Sequence, residues 1–357
     1  SPIANQDVNF SLSTSVGGIT IQPSSSKTDG AGKVSTVVQA GTVHTSVVVT
    51  ASLPAGSNVP DAQSSALTIS TGIPTQASFS ISAGTLNLEA YNEDGVTDPI
   101  TVHLADRFNN PVPDGTAVAF TTDGGQIEQG CTTVAGTCSV AWTSANPRPG
   151  DTSTGSTVTP VHPGRVAILA YAVGEESFFD NNGNGVFDDG DTFTDIPEIF
   201  EDADEDGVYT TGLDPFFFDF DKSGTYTTAD SKWEGLLCQD SSRCGGSNTI
   251  GVGKQIIITM STGNAIITPI SLTVANTAFL ITDLNGNPMP EGTTFEVTQA
   301  SVCTGSKPDV LPSEQPDTNT ASGQLVTVTG LVACPQGTTV KVTSPGGITT
   351  GGVFIIN

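Results

Sequence analysis

Between Glu175 and Glu234 the sequence carries eighteen carboxylates against two lysines, with Phe and Tyr recurring among them. Charge at that density opposes folding unless a counter-ion is present, yet disordered acidic tails are poor in aromatic residues. The stretch from Asp180 to Asp230 is therefore expected to be ordered and to hold cations.

Three windows in it have the spacing of a calcium loop, with oxygen ligands at positions one, three and five and glycine at six. That donor set suits a hard cation needing about six to eight oxygens. The first window supplies Asp180, Asn182, Asn184 and Gly185, with Asp188 and Asp191 at positions nine and twelve. The second supplies Asp202, Asp204, Asp206 and Gly207, but its position twelve is Leu213, so Asp214, Glu201 or Glu198 has to close the shell. The third supplies Asp219, Asp221, Ser223 and Gly224, closed by Asp230. Asp191 and Asp230 stand where a bidentate Glu is usual. The flanks Ser177–Phe179, Ile199–Phe200 and Pro215–Phe218 have no helical period, so rigid loop-built sites for several calcium ions are expected rather than a helix–loop–helix sensor.

Elsewhere short β-branched runs such as Val47–Thr50 and Gln255–Thr259 alternate with turn clusters rich in Gly (40) and Pro (22), and long helical patterns are absent. This is an all-β signature of sandwiches, and 357 residues suffice for two or three of them. A net charge of −26 excludes nucleic acid as a partner and disfavours anionic membrane surfaces. No apolar run is long enough for a membrane span. Six cysteines without a C-x-x-C argue against zinc, and proximity favours the pairs Cys131–Cys138, Cys238–Cys244 and Cys303–Cys334, hence an oxidising, extracellular compartment. The chain opens at Ser1 with no signal-peptide pattern and closes at Asn357 with no anchoring pattern, as expected of a mature protein or a fragment.

An internal repeat appears when the Asn-Pro turns are aligned. Ile100–Asp106, Asn110-Pro111-Val112-Pro113-Asp114-Gly115-Thr116 and Val118–Phe120 match Ala278–Asp283, Asn287-Pro288-Met289-Pro290-Glu291-Gly292-Thr293 and Phe295–Val297. A second shared element, Gly32–Val37, Gly136–Val140 and Gly323–Val328, gives three units. With the turns Phe120–Gly125 and Thr28–Gly32, these residues resemble bacterial Ig-like domains of the invasin/intimin type. The resemblance covers most of the chain outside the acidic stretch. It implies tandem Ig-like β-sandwiches and an extracellular structural role on a bacterial surface. The expected division is 1–76, 77–268 with a calcium-binding insertion at about 174–246, and 269–357. The 306–320 loop of the third unit is expected to be exposed. Pro2–Asn5 aligns with Pro111–Asp114, so the first unit is expected to lack its opening strand, either because its edge takes a strand from another chain or because the chain is a piece of a longer tandem array cut inside a domain.

Catalytic chemistry is not visible. His44, His103 and His162 sit in separate segments without an identifiable partner, and no nucleophile elbow, phosphate loop or H-E-x-x-H occurs. Trp142 and Trp233 are expected in cores. The sequence thus points to a non-enzymatic subunit or stalk segment of a surface fibre, rigidified by calcium and joined to neighbouring subunits or Ig-like domains by β-strand donation. The alternative is a calcium-dependent adhesin binding a glycan or protein ligand.

Overall fold

Alternating burial builds the sandwich of the second unit. In Thr97–Leu104 the inward side chains are Asp98, Ile100, Val102 and Leu104, and in Thr137–Thr143 they are Cys138, Val140 and Trp142. This is the period-two pattern of a half-buried strand. The computed structural model describes residues 2–41, 45–57, 59–69, 72–150, 162–303 and 307–356, so His44 and the start of the 306–320 loop lie outside the described residues. The two strands pair antiparallel within a four-stranded sheet ordered Gln126–Ile127, Thr137–Thr143, Thr97–Leu104, Phe79–Ala83. Facing it is a five-stranded sheet ordered Asn87–Glu89, Ile250–Ser261, Arg165–Gly174, Ala117–Thr122, Gly130–Thr132. Phe79, Ile100, Trp142, Ile168, Ile258 and Met260 close the core between them. The protein is a tandem array of Ig-like β-sandwiches, and no described helix is long and apolar enough to cross a membrane.

The third unit repeats the plan. A sheet ordered Ala265–Thr273, Asn276–Asp283, Gln324–Thr329, Asp309–Leu311 faces one ordered Thr294–Gln299, Thr338–Thr343, Thr349–Phe354 around Phe279, Ile281, Phe295 and Val340. The repeated Asp-x-x-x-Asn-Pro turn has a physical basis in both units. Buried Asp106 accepts backbone N–H bonds from Phe108 and Asn110, each at 2.9 Å, and buried Asp283 accepts them from Asn285 and Asn287, each at 2.8 Å. One carboxylate thus satisfies the donors that the turn would otherwise strand.

The first unit is smaller. Its main sheet is ordered Ser25–Lys27, Asp7–Leu12, Val49–Ser52, Ala62–Gln63, and its core is Ile19, Val47 and Ile69 with Leu12 and Val38 against them. Strand Val37–Gln39 is the counterpart of Thr137–Thr143 and Gln324–Thr329. Those two are flanked on both sides, whereas Val37–Gln39 pairs among the described residues only with Thr20–Gln22.

The segment between Arg165–Gly174 and Ile250–Ser261 lies on the outer face of the five-stranded sheet. That explains the continuous apolar run in Arg165–Gly174, whose Ala167 and Leu169 are as buried as Val166 and Ile168. Phe216 and Phe218 stack on Tyr171, and Asp202 and Gln255 exchange two bonds. Gly251 and Gly253 open the space, since a Cβ at either would meet Phe218 Cδ1 at 2.5 Å or the Ala170 carbonyl at 2.5 Å.

The described part of the long loop of the third unit is mostly exposed, as expected, but it is not free. Its 315–319 portion is clamped to the second unit. Leu86 N–H donates to Asp317 at 2.6 Å, Thr318 N–H to Asn87 Oδ1 at 3.0 Å, and Asn319 Nδ2 to the Ile257 carbonyl at 2.9 Å. Its polar residues therefore satisfy backbone groups across the joint, something composition alone does not reveal. Asn87, fully buried, also donates to the Met289 carbonyl at 2.6 Å. Asn87→Ala leaves these groups unpaired, each at a cost of about 1–3 kcal/mol. Limited proteolysis should then cut the 312–320 loop faster while circular dichroism of the sandwiches stays unchanged.

Candidate metal centre

The three Asp-rich windows fold to one backbone. Position four has a left-handed φ in each (Gly183 72°, Glu205 59°, Lys222 58°), and so does position six (Gly185 76°, Gly207 78°, Gly224 77°). This is why glycine recurs at six. The position-one carboxylate holds the turn by accepting backbone N–H bonds: Asp180 from Gly183 and Gly185, Asp202 from Asp206 and Gly207, Asp219 from Ser223 and Gly224.

Ligand oxygens converge differently in each loop. In the third, carboxylate oxygens of Asp219, Asp221 and Glu198 lie within 4.8 Å of one another. Glu198 is buried and is oriented by N–H bonds from Phe220 at 2.8 Å and Thr227 at 2.9 Å. Bonds from Ser223 hold the Asp221 carboxyl below the usual carboxylate range. Asp230 is not in this group; it caps the Lys232 N–H and stands beside Glu234 across a cavity of about 280 Å³. Ser223 spends its hydroxyl on the Thr225 carbonyl.

In the second loop Asp202, Asp204 and Asp206 converge within 4.8 Å. Asp214, one residue past position twelve, is fixed by the N–H groups of Ala203 and Thr210, at 3.0 and 2.6 Å, and faces Asp204 and Asp206. Burial, followed by the neighbouring carboxylates, pushes both Asp202 and Asp214 up. Two buried oxygens here lack any hydrogen-bond partner, Asp204 Oδ1 and Glu201 Oε1. An all-oxygen donor set with orphaned buried oxygens fits a hard divalent cation.

In the first loop Asp188 accepts from Asn182 Nδ2 at 3.1 Å and Asn184 Nδ2 at 2.7 Å, and Asp191 accepts from the Asn181 and Asp188 N–H groups. With a cation in the loop, Asn182 and Asn184 would present their amide oxygens instead.

Two aromatic clusters underlie the loops. Phe178, Phe187, Phe193 and Trp233 form one, and Phe200, Tyr209, Phe217 and Tyr226 the other. Phe216–Phe218 are half-buried against tyrosines and do not form the exposed apolar patch that a ligand-contacting surface there would need. Three arginines that sequence reasoning missed hold the insertion. Arg107, on the Asp106 turn, pairs with buried Glu175 and lies 5.0 Å over Phe178 and 5.7 Å from Trp233. Arg243 lies 4.7 Å over Phe187 and donates to the Asp188 and Asp191 carbonyls. Arg165 pairs with Glu205. Their only sequence signal is scarcity. The disulfides Cys131–Cys138, Cys238–Cys244 and Cys303–Cys334 are formed, and Cys238–Cys244 closes the end of the insertion.

With the geometry established, the chain can be set beside known proteins. No family model and no curated protein matches it. Among solved structures it is similar to the Escherichia coli adhesin FdeC and to Yersinia pseudotuberculosis InvD. These are 14% and 13% identical, each with a TM-score of 0.31, and each match covers 100% of this chain and 88% of the other. Invasin, a bacterial integrin-binding protein, is 15% identical with a TM-score of 0.27; that match covers 99% of this chain and 54% of invasin's. The Ig-like assignment rests on the strand order itself.

Burial, with neighbouring carboxylates adding to it, pushes Glu176 up to about 8, and Glu201 and Glu234 each up to about 7. A carboxyl raised in this way binds more protons folded than unfolded. Its stabilising contribution is complete below the unfolded value of 4.5 and is lost as pH rises through the folded one. In chelator, the melting midpoint of the insertion should therefore fall from about pH 5 to about pH 8, and saturating calcium should flatten that slope. A chelated midpoint that rises over the same range would contradict the assignment.

Proposed function

We propose that the chain is a non-enzymatic, extracellular structural protein, a subunit or stalk segment of a bacterial surface fibre whose middle unit is rigidified by several calcium ions. The observation that carries the reading is the one-sided pairing of Val37–Gln39 over a core as small as Ile19, Val47 and Ile69. An unpaired inner edge beside a thin core is the arrangement that a strand from another subunit or a neighbouring Ig-like domain completes. Head-to-tail addition of that kind gives an open filament. Three disulfides favour an oxidising, extracytoplasmic setting. The orphaned oxygens of the second loop and the grouped carboxylates of the third support calcium as the stiffening ion.

Negative-stain electron microscopy of the purified protein, in calcium and after chelation, tests the reading. Regular filaments with a repeat of about one subunit are expected, since a heterologous contact whose rotation does not close on itself propagates as an open filament. Separate short particles under all conditions would remove strand donation and leave only a stalk segment.

A further inference from the structure

Among the described residues, the second of the three Asp-rich loops is the one wired to the third unit. The bonds of the first loop reach Arg243, Leu237 and Arg107, all within the insertion and the second unit. Those of the third loop stay among Glu198, Thr225 and Thr227. In the second loop Glu205, held at a left-handed φ of 59° between ligand positions three and five, turns its carboxylate onto Arg165. The pair is two-pronged, Nε to Oε1 at 2.5 Å and Nη2 to Oε2 at 2.7 Å, and Arg165 is 6% exposed. The remaining nitrogen, Nη1, donates to the Asn319 carbonyl of the third unit at 2.8 Å, and Asn319 Nδ2 returns to the Ile257 carbonyl of the second unit. A guanidinium whose fork is fixed by a carboxylate has one direction left for its third donor.

We propose that a divalent cation bound by Asp202, Asp204, Asp206 and Asp214 locks the joint between the second and third units through Glu205, Arg165 and Asn319. This rests on the calcium reading above. The second observation beyond the acidic cluster is Glu201: fully buried and placed beside Asp214, it accepts from Thr121 at Oε2 and leaves Oε1 without a partner. A cation in the shell relieves the repulsion among four carboxylates that otherwise spreads the loop. With the loop fixed, position four is fixed, and Glu205 presents both oxygens to Arg165. Without it, Glu205 moves with the loop, the guanidinium loses its orienting partner, and the Asn319 clamp loosens. The second loop is thus the element through which cation concentration sets the stiffness of this joint, whereas the other two loops act on the insertion alone.

The test uses the full chain with spin labels at exposed Ser80→Cys in the second unit and Thr339→Cys in the third, in a protein whose described native cysteines are all in disulfides. Electron–electron distance distributions are recorded with calcium chloride and with chelator, and calcium binding is counted by calorimetry. The expected result is a distribution that narrows with calcium in the otherwise native protein, with the narrowing lost in Glu205→Gln while calorimetry gives the same number of bound ions. Asp204→Asn should lose both the narrowing and one ion. Calcium binding without narrowing, or narrowing that persists in Glu205→Gln, overturns the proposed coupling and leaves the calcium reading intact. No calcium binding at all overturns both.

Discussion

Repulsion among carboxylates is the constraint on which the rest of this structure depends. The chain has a net charge of −26 and only four arginines, and three of them, Arg107, Arg165 and Arg243, hold the insertion. Each pairs with a carboxylate and also donates to a backbone carbonyl of a segment distant in sequence. A buried pair of this kind adds little net stability over apolar packing, but losing one partner is severe because the other charge is left uncompensated. The arrangement therefore specifies position more than it adds energy. Arg107 and Arg165 fix where the insertion lies relative to the sandwich, and Arg243 ties two stretches of the insertion to each other.

The insertion has little independent means of folding. Its two aromatic clusters are small, its regular structure is the short pair Ser177–Phe179 and Thr192–Thr194, and much of its backbone is satisfied by carboxylates rather than by a ladder. It leans on the outer face of the five-stranded sheet, which in turn is apolar on both faces and cannot be left bare. Sheet and insertion are mutually required. Calcium would act on this pair by fixing the loop ends and leaving the sheet unchanged.

What could be read from the sequence follows the range of the interactions involved. Loop positions one to six are local, so Asp180, Asp202 and Asp219 with Gly185, Gly207 and Gly224 mark three equivalent turns. The pairs Cys131–Cys138 and Cys238–Cys244 follow from proximity for the same reason, whereas Cys303–Cys334 spans 31 residues. The ligand that closes a shell is not local. Glu198 joins Asp219 and Asp221 from twenty-one residues before Asp219, whereas Asp230, at the expected spacing, is outside that group and lines the adjoining cavity. The joint was equally hidden. Asn87, Asp317 and Asn319 look like ordinary loop residues until the two units are apposed and their side chains meet backbone groups across the boundary. The alternating strands, by contrast, announce their inward faces directly, because burial on one face imposes period two.

The units differ in what supplements their cores, and that difference has a direction. The second has a large core, two disulfides, the Asp-rich loops and a clamped joint. The third has one disulfide and shares the clamp. The first has no cysteine and no Asp-rich loop, and among its described residues the core cluster is Ile19, Val47 and Ile69 with Leu12 and Val38 against them. A sandwich that small is marginal without some added constraint. Among the described residues Val37–Gln39 is paired on one side only, and an incoming strand there would supply both a hydrogen-bonded ladder and further apolar cover for half-buried Val38. Under the proposed strand addition, stability of the first unit and its capacity to join a neighbour would be one property: the edge that weakens it alone would be the edge that completes it.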